Sequence, residues 1–192
     1  MMPRLRVFWT LVACSGLAGC ETPRPSGWSM VEKGQYQMVY QPDGRIERLL
    51  YDQNGDGRAE MVVMYAVNGK PGVSEIDTDL DGVVDRWEYF DVNGDLARTG
   101  RARRKPGVVD AWEAVDKTGE LNRREFDEDG DGKVDRAEYV SKGRVFLEEL
   151  DTNHDGKPDR RLFYGADGAI LKIEVDKDGD GFWETSLPVL QR

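Results

Sequence analysis

From about residue 36 onward, the chain alternates short apolar runs with polar, glycine-bearing segments. First runs such as MVVMYA, RWEYF, RAEYV and RRLFY are followed by the turns PDG, VNG, KTGE, SKG or ADG. Second runs such as RIERLLY, LARTGRA, RVFLEEL and AILKIEV come next. Runs of this length, rich in Val, Tyr, Phe and Trp, read as strands. Asn-Gly and Asp-Gly between two such runs mark tight hairpins, because those turns need positive φ. The pattern predicts six β-hairpins in series.

The hairpins are a repeat. The turn glycines are Gly44, Gly69, Gly94, Gly119, Gly143 and Gly168, at steps of 25, 25, 25, 24 and 25. Between hairpins lie nine-residue acidic loops opening at Asp52, Asp77, Asp127, Asp151 and Asp176. The gap from Asp77 to Asp127 spans two periods, so one loop, at 102–110, is degenerate. Apolar residues recur in register before the loops (Tyr51, Ile76, Phe126, Leu150, Val175) and early in the second strands (Ile46, Leu96, Leu121, Val145, Ile170). One repeat cannot bury these alone, but stacked neighbours can. The expected fold is all-β: tandem hairpin repeats of about 25 residues in an elongated antiparallel sheet or stack, filling 36–192 as one domain. An open sheet, a two-layer stack and a closed barrel all fit the pattern. The repeated aromatics Trp87, Trp112 and Trp183 read as sheet packing.

The loops carry the candidate chemistry. Alternate acids followed by glycine point several carboxylates at one centre, and a hard cation such as calcium takes six to eight oxygens in such a cage. The candidate ligands are Asp52, Asn54, Asp56 and Glu60; Asp77, Asp79, Asp81 and Asp85; Asp127, Asp129, Asp131 and Asp135; Asp151, Asn153, Asp155 and Asp159; and Asp176, Asp178, Asp180 and Glu184. Gly57, Gly82, Gly132, Gly156 and Gly181 allow the sharp turn, and the carbonyls of Arg58, Val83, Lys133, Lys157 and Phe182 follow as donors. This predicts about five calcium ions. Magnesium prefers a stricter octahedron with retained waters. The competing reading is an Asp/Asn-rich surface turn held by local side-chain to backbone bonds. Five loops in one register favour the metal, since packed carboxylates repel without one. The next turn arrives too soon for a stable exit helix, so a helix–loop–helix is not expected.

The degenerate loop is informative. Its first three ligand positions are Ala102, Arg104 and Pro106, yet Asp110 remains at the ninth and Glu113 at the twelfth. Glu88 and Glu138 also stand twelfth, and retention of Glu113 without a metal comb reads these as strand residues. The ninth position stays among the ligands. RARRKP, 101–106, is the basic cluster of the chain, so Arg103, Arg104 or Lys105 would supply the positive charge that calcium supplies elsewhere.

These residues resemble known families. The loops are similar to the DxDxDG calcium loops of EF-hands, dockerins, thrombospondin type 3 repeats and FG-GAP propellers. The segments YFDVNGDL and LFYGADGAIL resemble MORN-like hairpin repeats. Behind the N-terminal segment described next, the combination resembles bacterial lipoproteins with EF-hand-like repeats. The resemblance covers nearly all of the chain after that segment and implies calcium binding at the cell envelope.

Arg4 and Arg6, followed by the apolar run 7–18, have the build of a secretory signal peptide (1–19). Leu17-Ala18-Gly19-Cys20 resembles a lipobox, which implies lipidation at Cys20 and a membrane anchor. Glu21 is not the aspartate of inner-membrane retention, so the outer membrane is the expected location, periplasmic or surface-exposed. Residues 20–35 read as the lipidated cysteine and a flexible tether. Cys14 would leave with the signal, so no disulfide is expected. The formal charge of -10 becomes -12 once two arginines leave with 1–19, which excludes nucleic acid as a partner.

No enzymatic activity is expected. The one histidine, His154, sits at a non-ligand position of a loop, and no nucleophile–histidine–acid set or phosphate loop can be assembled. The expected role is a calcium-stabilised structural or interaction module held to the envelope by lipid. The alternative is a calcium-dependent adhesin or ligand binder, for a protein or glycan, using Trp87, Trp112, Tyr89 and Tyr139 as an aromatic face.

Overall fold

The computed structural model describes residues 26–183 and the backbone of 185–188; the signal segment, Cys20 and Glu184 lie outside the described residues. Fourteen strands follow one another: β1 (Ser29–Lys33), β2 (Tyr36–Tyr40), β3 (Ile46–Tyr51), β4 (Met61–Tyr65), β5 (Pro71–Ile76), β6 (Arg86–Phe90), β7 (Leu96–Arg101), β8 (Ala111–Val115), β9 (Leu121–Phe126), β10 (Arg136–Ser141), β11 (Arg144–Leu150), β12 (Arg160–Tyr164), β13 (Ile170–Val175) and β14 (Thr185–Pro188). They form one antiparallel sheet in strict sequence order. Each strand touches only its sequence neighbours, so the sheet is open, neither a barrel nor a two-layer stack. No helix occurs among the described residues. The all-β class and the elongated sheet of tandem hairpins are as the sequence predicts.

Hairpin turns line one end of the strands and acidic loops the other. In five hairpins a turn glycine donates its N–H to the carbonyl three residues back, as Gly44 does to Gln41 at 2.9 Å. The turn at Gly143 is a residue shorter: Lys142 (φ 50) and Gly143 (φ 75) alone join β10 to β11. That accounts for the step of 24 between Asp127 and Asp151. The six hairpins from β2–β3 to β12–β13 also shift register just after the turn, leaving one extra residue in the second strand, such as Glu47, Ala97 or Phe146. Such bulges add local twist to a sheet that has no second layer to impose it.

One boundary differs from the sequence reading. The tether expected over 20–35 contains β1, which pairs with β2 from Ser29↔Tyr40 to Lys33↔Tyr36. The proline and serine that suggested a linker lie upstream; Val31 and Met38 face each other across the pair, and Gly34 (φ 62) makes the turn. Asp52 N–H then donates to Gln35 O at 2.9 Å, so Gln35 stands where later repeats place the last residue of a loop.

A single layer has little core. The buried apolar residues are Val63, Trp87, Ala111, Ala137 and Val140, whereas Tyr51, Ile76, Phe126, Leu150 and Val175 are half-buried and Leu96 is exposed. Residues opposed across strands share a face. One face carries the line Trp87, Gly100, Trp112, Glu125, Ala137, Glu149. Gly100 matters there: a Cβ would lie 3.0 Å from Val109 and 3.4 Å from both Trp112 and Tyr89, so its absence lets these close over the sheet. Arginines roof the aromatics, with Arg98 over Trp112 (4.8 Å), Arg123 over Tyr139 (5.0 Å), Arg136 over Phe126 (4.0 Å) and Arg161 over Trp183 (4.1 Å). Their aliphatic stems cover apolar surface while the guanidinium groups pair with strand glutamates such as Glu125, Glu138 and Glu149.

Candidate metal centres

A row of buried carboxylates lies along the loop end of the sheet. Asp77, Asp127, Asp151 and Asp176 at the first loop position are buried, as are Glu60, Asp110 and Asp135 at the ninth; Asp127 is only 2% exposed. A buried carboxylate is stable only if it is hydrogen-bonded or paired with a cation.

The backbone supplies part of that. At the first position, Asp52, Asp77, Asp127 and Asp176 each accept two N–H bonds, from the fourth and sixth loop residues; for Asp127 these are Gly130 (2.6 Å) and Gly132 (2.8 Å). Asp151 accepts from Gly156 at 2.6 Å and more weakly from Asp155 at 3.3 Å. Both donors point inward because the chain turns left-handed twice. Gly132 (φ 87) represents the sixth position, while at the fourth Leu80 (φ 65) and His154 (φ 59) hold a conformation that side chains adopt at a cost.

The third-position oxygens (Asn54, Asp79, Asp129, Asn153, Asp178) accept the N–H of the fifth residue, at 2.8 to 3.3 Å. The fifth-position carboxylates (Asp56, Asp81, Asp131, Asp155, Asp180) accept that of the seventh, all at 2.8 Å. The second oxygens of Asp56 and Asp155 accept from the Nδ2 of Asn54 and Asn153, and those of Asp131 and Asp129 meet Lys133 Nζ and His154 Nδ1. The seventh-residue carbonyls of Arg58, Val83, Lys133, Lys157 and Phe182 accept no backbone bond among the described residues. The ninth residue closes the loop: Asp135 accepts from Glu128 (2.6 Å) and Asp129 (3.0 Å), and Thr78 and Thr152 bond Asp85 and Asp159 through both N–H and hydroxyl.

Four loops bring three carboxylate oxygens within 4.8 Å of one another and so can hold a metal ion: Asp52, Asp56 and Glu60; Asp77, Asp79 and Asp85; Asp127, Asp129 and Asp131; Asp176, Asp178 and Asp180. The donors are all oxygen, which suits a hard cation. Among the described residues, Asp151, Asp155 and Asp159 make no such group. Asp79 shows the repulsion directly. The bond from Asp81 N–H favours its ionised form, but desolvation and the neighbouring Asp81, Asp77 and Asp85 outweigh it and raise its pKa. The twelfth-position glutamates are strand residues: Glu88 pairs with Arg86, and Glu138 with Arg124 and Arg136.

In the degenerate loop, Asp110 accepts the N–H groups of Arg103 (2.9 Å) and Arg104 (2.8 Å), as Asp135 does from its own loop. The Arg103 guanidinium lies 3.5 Å from Asp110, 3.5 Å from Glu128 of the next loop, and over the Phe126 ring. Arg103 alone of the basic cluster makes ion pairs among the described residues; Arg104 and Lys105 line a cleft facing Asp79 and Asp81.

Two features escape a linear reading. Successive loops are stitched together, with the first N–H of each bonded to the ninth carbonyl of the one before. Side chains also cross the seams: Arg58 lies over Gly82, and Lys133 over Gly156 with its Nζ 3.3 Å from His154 O. His154 reaches back the same way to Asp135 and Asp129.

No family model matches the chain, and no curated protein matches it. Among solved structures, it is similar to accessory secretory proteins 1, 2 and 3 of Streptococcus pneumoniae (14% identity, TM-score 0.38, 62% of this chain and 20% of that one). It is also similar to a GtfA/B complex (18% identity, TM-score 0.35, 70% and 20%) and to Staphylococcus aureus TarM (10% identity, TM-score 0.33, 63% and 21%). The chain spans about a fifth of the length of these structures, and likenesses this slight carry no argument about its role.

Proposed function

We propose that the protein is a calcium-stabilised structural or interaction module of the cell envelope, anchored by lipid at Cys20, and that it is not an enzyme. The observation that carries the reading is that three carboxylates converge in each of four loops, one of each three buried at the loop end of the sheet. A sheet with so thin a core needs another source of stability, and cations between the loop acids would provide it. Extracellular calcium sites bind at about 10⁻⁴ to 10⁻³ M. At roughly 1 mM calcium and a Kd of about 10⁻⁴ M, each site adds about 1.4 kcal/mol. Five sites would add about 7 kcal/mol, the scale of a whole domain's stability.

The scaffold reading is favoured over an aromatic binding face because Trp87 is buried and Trp112, Tyr89 and Tyr139 are half-buried, two of them beneath arginines. The test is calorimetric titration of the chelator-stripped protein with calcium, alongside its melting temperature. Four or five equivalents with a large rise in melting temperature support the reading. No uptake at millimolar calcium refutes it.

A further inference from the structure

His154 is the one imidazole of the chain, and its Nδ1 sits between two carboxylates of the preceding loop. It lies 2.8 Å from Asp135 Oδ1 and 3.0 Å from Asp129 Oδ2, and the three donor atoms fall within 4.8 Å of one another. The left-handed backbone at His154 (φ 59) directs the ring across the seam. Asp135 is held by the N–H groups of Glu128 and Asp129, so one side of the cluster is fixed. The ring and Asp129 remain open to solvent, at 51% and 40% exposure, which leaves a path for an ion. Lys133 donates to Asp131 (3.2 Å) and to the carbonyl rather than the ring of His154.

One nitrogen and two carboxylate oxygens form a different donor set from the oxygen-only loops. Calcium and magnesium gain little from imidazole, whereas zinc and its neighbours bind nitrogen and oxygen together. Zinc takes such donors at about 2.0 to 2.2 Å, which sets tetrahedral ligands roughly 3.3 Å apart. The observed separations are a few tenths shorter, within reach of a small outward movement of the exposed ring.

We propose that His154, Asp129 and Asp135 form a one-ion site for a borderline divalent cation of the zinc class, joining loops 127–135 and 151–159. Solvent completes the coordination. The site does not depend on the calcium reading, but Asp129 and Asp135 are shared with the candidate calcium site of loop 127–135. Zinc at the seam would therefore displace at most one calcium and leave the other loops untouched.

The probe is zinc chloride added to the chelator-stripped full chain without calcium, with the single imidazole followed by ¹H–¹⁵N NMR. One equivalent should shift the His154 Nδ1 resonance to a metal-bound value. His154→Ala and His154→Gln should each weaken zinc binding by roughly tenfold or more. Calcium uptake by zinc-free samples of both variants should match the unsubstituted protein. Zinc uptake with an unmoved imidazole, or unchanged zinc affinity in both variants, overturns the proposal. Because calcium is titrated separately, calcium without imidazole ligation sinks this site alone, and imidazole ligation without calcium uptake sinks the calcium reading alone.

Discussion

The backbone N–H of Asp127 donates to the carbonyl oxygen of Asp110 at 2.9 Å, so the first residue of one acidic loop hangs on the last residue of the degenerate loop. The same link joins Asp77 to Glu60, Ala102 to Asp85, Asp151 to Asp135 and Asp176 to Asp159. The loop that lost its acidic comb is thus a full rung of the ladder. Asp110 should be needed there for reasons unrelated to metal. Asp110→Ala leaves the N–H groups of Arg103 and Arg104 without their acceptor, at a cost of roughly 2 kcal/mol. Urea unfolding in chelator measures it, and a loss below about 0.5 kcal/mol would contradict the assignment.

Arg103 should be separable from its basic neighbours. It reaches Asp110, Glu128 and Phe126, whereas Arg104 and Lys105 have no ion pair among the described residues. Arg103→Ala should lower the melting temperature measurably, by ion pairing and by lost contact with Phe126. Arg104→Ala and Lys105→Ala should stay within about 0.5 kcal/mol of the unsubstituted chain. Equal effects from all three would return the cluster to being a generic charged surface.

Leu80 carries a conformational cost that can be removed. It stands at the fourth loop position with φ 65 and is 47% exposed, where Gly55, Gly130 and Gly179 stand in other loops. Leu80→Gly relieves the left-handed strain of a branched side chain while losing little packing, and the entropy of the unfolded glycine offsets part of the gain. A net stabilisation of about 0.5 to 1 kcal/mol is expected from denaturant midpoints. Destabilisation would mean that the Leu80 side chain packs in a way its exposure does not suggest.

The repeat was legible because period-two strands and glycine turns are local signals. Gly44 to Gly168 mark the turns, and the loop acids fall in one register. What was not legible depends on neighbours. Strand β1 was masked by the proline and serine just before it, and only pairing with β2 reveals Ser29–Lys33 as a strand. The bulge at Ala97 or Phe146 has no local signature, since neither is a glycine or proline. His154 read as a bystander because its partners Asp129 and Asp135 belong to the previous loop, 25 and 19 positions away.

Tyr164 should be the last tyrosine to ionise. Burial, the bond its hydroxyl donates to Glu148 (2.7 Å) and the charges of Glu148 and Glu138 push its pKa up to about 12. A phenol that binds its proton more tightly in the folded chain contributes fully below the unfolded value of 10.0. That contribution fades as pH climbs from there toward about 12. Tyrosinate absorbance should show a late step that Tyr164→Phe removes. If every tyrosine titrates together near the ordinary value, the bond to Glu148 does not persist in solution.

Contacts that run only between adjacent strands make the consequences of losing a loop depend on its place. A one-dimensional array has stability that sums over neighbours, so a break in the middle divides it and a break near an end frays it. Among the described residues Asp127 is the most buried loop carboxylate and its side chain holds the β9–β10 connection, whereas the Asp176 side chain holds the last connection, to β14. Asp127→Ala should therefore broaden or split the thermal transition and raise hydrogen exchange on both sides of that junction. Asp176→Ala should raise exchange near β13 and β14 while the main transition keeps its midpoint within a few degrees, as expected for about 1 kcal/mol. Uniform loss of protection across all strands in both variants would mean that the sheet melts as a single cooperative unit, and the rungs would then be coupled beyond their nearest neighbours.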